Sequence, residues 1–159
     1  MTQSHISWFA IIISFFIAAT LELIALPDMV AFLRPEWLVV TYVYWLVRHP
    51  EKIGVASGVI VGLLLDVISG SYFGIHILAV CLTGYLVLTM HQRLKMFPIS
   101  QQSLVIFFIV GIQLMVVSTI KSALGNSDIG LSYLWLAFSS AIIWPFVLIV
   151  TDRLVFALR

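Results

Sequence analysis

The chain has 159 residues, 62% of them apolar and only 9% Asp, Glu, Lys or Arg, where an average soluble domain has about 45–50% and about 25%. So few charges cannot clothe a soluble surface, which excludes an ordinary cytosolic domain, a disordered tail and a coiled coil. Eight Lys and Arg against seven acids leave no basic surplus for phosphates, which excludes a solvated nucleic-acid binder.

The lone Cys81 closes no intrachain disulfide and argues against a thiolate metal site. An all-α integral membrane protein remains, a compact bundle of six transmembrane helices forming one membrane domain over 1–159. A spanning helix needs roughly 17–25 residues, and the apolar runs place six spans near 6–26, 29–48, 53–69, 73–90, 104–121 and 130–150. The first, from Ile6 to Leu26, is expected to be retained rather than cleaved as a leader. It lacks a basic start, is too long, and has no small-residue cleavage site before Pro27.

The second run is short or broken, since its apolar core, Trp37 to Val47, has only eleven residues. Either it is a short helix with Trp37 and Arg48 anchoring its ends, or Met29 to Leu33 dips into the bilayer before Pro35 starts the helix. The third run carries Asp66, the fifth Gln113, and the sixth Pro145, which predicts a kink. Trp8, Trp45 and Phe97 at one interface, and Trp37, Tyr72, Phe73, Tyr133 and Trp135 at the other, fit aromatic belts.

Basic residues in the short loops set orientation. With six spans, Arg48, Lys52, Arg93, Lys95, Arg153 and Arg159 share one side, and only Arg34 and Lys121 the other. Both termini are therefore expected to be cytoplasmic.

From the third run into the start of the fourth, Gly54, Gly58, Gly62, Asp66, Gly70 and Gly74 recur every fourth position. On a helix this spacing makes a slowly drifting stripe, and glycines so placed admit another backbone. The stripe either packs within the monomer or receives a partner's helix. A carboxylate as deep as Asp66 must be protonated, paired or hydrated. Glu22, Arg34, Asp66, His76 and Lys121 are expected as an outer polar cluster, holding helix ends or, alternatively, forming a proton or substrate site. The sequence holds no Gly-x-Ser-x-Gly, His-Glu-x-x-His or phosphate loop. No catalytic, metal or cofactor-binding residues are expected.

The segment Gly58-Val59-Ile60-Val61-Gly62-Leu63-Leu64-Leu65-Asp66-Val67-Ile68-Ser69-Gly70-Ser71, with Gly74, resembles the MreD family of the bacterial rod-shape system. Arg34-Pro35-Glu36-Trp37, Tyr44-Trp45-Leu46, His49-Pro50, Gln101-Gln102 and Trp144-Pro145 extend the resemblance over nearly the whole chain. The chain departs from it at His76, where a basic residue is common. The resemblance implies a non-enzymatic component of the elongation machinery in the inner membrane, working in lateral peptidoglycan synthesis. It implies MreC as the main partner, with MreB, RodA and its penicillin-binding transpeptidase in the same assembly, membrane lipid around it, and no cofactor. The family is also similar to the substrate-binding membrane components of vitamin importers. The alternative from the residues alone is a small-molecule binder or transporter subunit with a pocket near Glu22 and Asp66.

Overall fold

The computed structural model describes residues 8–24, 34–125 and 132–157. They form six helices: α1 (Trp8–Leu23), α2 (Trp37–Arg48), α3 (Val55–Ser69), α4 (Ile75–Met96), α5 (Ile99–Ala123) and α6 (Ser132–Ala157). Among the described residues there is no strand. Three stretches are long and apolar enough to cross a membrane: α4, α5 and Tyr133–Ala157 of α6. The helices α1, α2 and α3 are shorter, at 16, 12 and 15 residues.

Three helix ends differ from the expected runs. α4 continues past 90 to Met96, so Arg93 and Lys95 sit in its last turn and face the negative end of the helix dipole. α5 begins at Ile99, directly after Pro98, where the missing proline N–H is no loss. α6 runs through Asp152 and Arg153 to Ala157. Hydropathy ends a run where charges begin, but a helix continues as long as its backbone bonds can form.

The shortest helix is the core. Every residue of α2 from Leu38 to Val47 is buried, the pattern of a helix apolar on all sides and enclosed by neighbours. Enclosure also explains its length, because a helix inside the protein need not match the bilayer. Trp45, expected at an interface, is fully buried instead, and its indole Nε1 donates to Ser14 Oγ of α1 at 2.8 Å. Residues 29–33, the expected dipping segment, lie outside the described residues.

Polar contacts set the direction of each helix. The Glu36 N–H donates to Ser140 Oγ at 3.0 Å, and Arg48 Nη2 donates to Asp152 Oδ2 at 2.8 Å. Both pairs are 104 residues apart, so α2 and α6 run parallel in constant register. Tyr44 OH adds a 2.6 Å bond to Asp152 Oδ1, and Lys52 Nζ lies 5.7 Å from the centre of the Trp8 ring. The start of α1 and the ends of α2 and α6 therefore share one end of the bundle.

The turn between α4 and α5 lies at that end and is held by Gln102. Its Nε2 donates to the carbonyls of Leu94 and Phe97, both at 3.0 Å, and its Oε1 accepts from Trp144 Nε1 at 3.1 Å. One side chain thus closes the end of α4 and ties α6 in just before the proline inside it. Gln102→Ala leaves the Phe97 carbonyl and a buried indole N–H unpaired, while the Leu94 carbonyl keeps the Phe97 N–H, at about 1–3 kcal/mol for each group kept from water. Its melting temperature in detergent is expected to fall by several degrees, with helicity by circular dichroism unchanged at room temperature.

Candidate functional site

The glycines of the expected stripe do different jobs. Gly54 caps the start of α3. A Cβ on Gly58 would stand 2.8 Å from Tyr42 Oη, and one on Gly62 would stand 2.7 Å from Ile77 N and 2.9 Å from His76 O. Gly62 is therefore where the backbones of α3 and α4 meet. Gly84 of α4, which the sequence reading passed over, admits the same Tyr42 ring, whose Cζ would lie 3.2 Å from a Cβ there. Tyr42 OH then donates to the Gly54 carbonyl at 3.1 Å. The helix α2 thus inserts a phenol between α3 and α4 where both lack side chains. Tyr42→Phe is expected to cost about 1 kcal/mol through the lost bond, and Tyr42→Ala about 3–5 kcal/mol through the cavity. Chemical denaturation of the purified protein in micelles would rank them.

Gly70 and Gly74 make the α3–α4 turn. Their φ values are +57° and +103°, a region that L side chains rarely adopt. Gly70 ends α3 in the left-handed conformation, and the Ser71 N–H reaches back to the Asp66 carbonyl at 3.2 Å. The turn points the first N–H groups of α4 at Asp66. Asp66 Oδ2 accepts from Gly74 N at 2.7 Å. Its Oδ1 lies 3.0 Å from His76 N, 2.8 Å from His76 Nδ1 and 3.2 Å from Ser71 Oγ. Asp66 therefore caps α4 from another helix, the task that Gly74, with no side chain, cannot perform.

By sequence position, the turn Ser69-Gly70-Ser71 and Arg34 are candidate donors to Asp66. Only the Ser71 hydroxyl among them bonds its carboxylate, and Arg34 is held elsewhere. Arg34 Nη2 meets Glu22 Oε1 at 3.3 Å, and Glu22 Oε2 accepts from Leu38 N at 3.3 Å. In direct contacts the five residues of the outer cluster form the pair Arg34–Glu22 and the pair His76–Asp66, and Lys121 stands within electrostatic reach of His76 and of Glu36, which Glu22 and Arg34 also face. Lys121 lines a surface opening with Gly70, Ser71, Tyr72 and Phe73.

Ser71, His76 and Asp66 are the residue types of a hydrolytic triad, but the geometry is different. A triad base bonds its nucleophile through one ring nitrogen and its carboxylate through the other. Here Ser71 Oγ and Asp66 Oδ1 both lie against Nδ1, at 3.1 and 2.8 Å. Among the described residues, no group of three or more His, Cys, Asp or Glu is placed to hold a metal ion. At the opposite end, between α2 and α3, His49 Nδ1 lies 3.2 Å from Glu51 Oε1. Burial holds its imidazole below the ordinary histidine range, with Glu51 opposing and Lys95 and Lys52 adding to the effect.

The profile of the family described as rod shape-determining protein MreD matches residues 2–153. The chain belongs to the MreD family. The rod shape-determining protein MreD of Haemophilus influenzae is 28% identical to it over 153 residues, covering 96% of this chain and 94% of that protein. No solved structure matches the chain, so the likeness to vitamin-importer components stays an expectation. As an MreD-family member the chain is a membrane protein of rod-shape determination.

Proposed function

We propose that this MreD-family chain is a non-enzymatic, multi-pass component of the bacterial inner membrane that binds MreC and helps organise lateral peptidoglycan synthesis. MreB and RodA with its penicillin-binding transpeptidase belong to the same assembly. The observation that supports this reading most is the use made of Asp66. All four of its contacts go to the adjoining turn and helix, so the most chemically suggestive residue of the chain serves to join two helices. Glu22 is likewise engaged by Arg34 and the α2 backbone. A transporter pocket near Glu22 and Asp66 would need both acids to face one space, and they sit in separate contacts. Neither lines the groove between α1, α2 and α6 or the opening at Lys121.

The test is a pull-down of the tagged chain from membranes of a rod-shaped bacterium, with shape complementation measured alongside. MreC is expected to co-purify with the wild-type chain. Full complementation without any MreC in the purified complex would sink the scaffold reading.

Both termini are placed in the cytoplasm, on the six-to-two bias of basic residues. Ser4→Cys and Ser127→Cys, each made in a Cys81→Ala background, are expected to react with impermeant maleimide from opposite sides. Labelling of both from outside intact spheroplasts would contradict the six-span arrangement.

A further inference from the structure

A groove of about 360 Å³ runs along α2, between α1 and α6. Trp37 and Thr41 floor it, while Ser14 to Leu21 of α1 and Phe146 to Leu154 of α6 supply its walls. Its volume lies in the range of small-molecule sites, about 300–1,000 Å³. No Asp, Glu, Lys, Arg or His lines it. Its mouth carries Ile17, Phe146 and Val150, all exposed, so it opens towards hydrocarbon.

Its threonines set it apart. Thr20, Thr83, Thr89 and Thr119 each return their hydroxyl to a carbonyl three or four residues back, the usual resort of a hydroxyl on an apolar helix. Thr41 and Thr151 are the two described threonines that do not. Both are more than nine-tenths buried, at 5% and 6% exposure, and both line this groove. Neither hydroxyl is fully sealed by its neighbours, so each is reachable from the groove. A hydroxyl without a partner in an apolar setting is costly; at Thr151 an acceptor carried by the occupant relieves it, while at Thr41 the occupant supplies packing alone.

The two lie at different levels. By the register that pairs Glu36 with Ser140 and Arg48 with Asp152, Thr151 stands beside residue 47 of α2. Thr41 is then six residues, about 9 Å, further along the axis. Next to Thr151, Asp152 and Arg48 form a half-exposed ion pair, at 48% and 45%. That pair marks the level where the bundle leaves hydrocarbon for headgroups.

We propose that this groove is a binding site for one chain of a membrane diacyl phospholipid. The Thr151 hydroxyl donates to the ester carbonyl at the headgroup level. The chain then lies along α2 past Thr41 towards Trp37, and its headgroup stays outside beside Arg48 and Asp152. The uncharged lining matches the neutral part of the lipid, and the ester oxygen is what a hydroxyl at that level requires. The inference does not depend on which protein partners the chain binds.

The test uses the full-length protein in vesicles of phosphatidylethanolamine and phosphatidylglycerol, with a trace of phosphatidylethanolamine carrying a diazirine in its acyl chain. After irradiation, adducts are mapped by peptide mass spectrometry. Label is expected to concentrate on 17–21 and 146–154, above that on Ile60, Leu63 and Val67, which are also exposed. Thr41→Val with Thr151→Val keeps the shape and removes the donors. It is expected to reduce that excess about three- to tenfold, the effect of one hydrogen bond. Ala18→Leu, which fills the groove, is expected to abolish the excess while the protein still elutes as a folded species. Even labelling of the groove and the α3 face, or an excess unchanged in the double variant, would overturn the proposal. So would a groove labelled in vesicles but shielded in native membranes, because a partner's helix would then be the occupant.

Discussion

Gly62→Leu is expected to abolish accumulation of the protein in membranes, and with it shape complementation. Even a methyl group at this position would meet the backbone of Ile77 and the His76 carbonyl, at 2.7 Å from the amide nitrogen and 2.9 Å from the oxygen. Backbone cannot rotate aside as a side chain can, so α3 and α4 must separate. Overpacking commonly costs about 1–3 kcal/mol, and here separation would also pull Asp66 from the N–H groups it caps. Gly62→Ala should already lower the level measurably, with Gly62→Leu reducing it to background on an immunoblot. By contrast, Gly54→Ala meets nothing within 4 Å and should accumulate normally. Normal levels and normal rods from Gly62→Leu would show that the contact between α3 and α4 is not as described.

The second large effect belongs to Asp66. Asp66→Leu strands the N–H groups of Gly74 and His76 and leaves the Ser71 hydroxyl and the imidazole only each other, with about 1–3 kcal/mol at stake for each stranded group that water cannot reach. Protein level is expected to collapse. From the sequence, Asp66→Asn looks nearly neutral, because one acceptor oxygen suffices for a single turn. The structure changes that expectation. Both oxygens accept, Oδ2 from Gly74 N and Oδ1 from His76 N. An amide NH₂ in either place would face a donor. Asp66→Asn is therefore expected to fall between Asp66→Leu and wild type in both thermal stability and membrane level, with complementation following the amount of protein. A stable, abundant but inactive Asp66→Asn would mean that the charge itself is used, and would raise a proton- or cation-linked function above the structural one.

Composition decided the membrane class and the all-helical architecture. With 62% apolar residues and 9% charged ones, only a hydrocarbon solvent suits the surface, and there every backbone group must be satisfied within the fold. The four-residue spacing of Gly54, Gly58, Gly62 and Asp66 was legible for the same reason that helices are. It is local, and a helix turns it into one face. The family resemblance came from that segment as well.

Tertiary structure alone decided where the shortest helix lies and which groups meet. No local pattern places Trp45 against Ser14, Tyr44 against Asp152, or Tyr42 beside Gly58 and Gly84. These partners are 16 to over 100 residues apart in the chain, and hydropathy reads their surroundings as equally apolar. In a bilayer, lipid-facing and core-facing side chains share one chemistry, so the sequence marks where helices are but not which side is inside. The same ambiguity hid which of Glu22, Arg34, Asp66, His76 and Lys121 bond one another directly. Depth along a helix can be counted in residues, whereas azimuth depends on packing. Packing turned Glu22 to Arg34 and Asp66 to the start of α4.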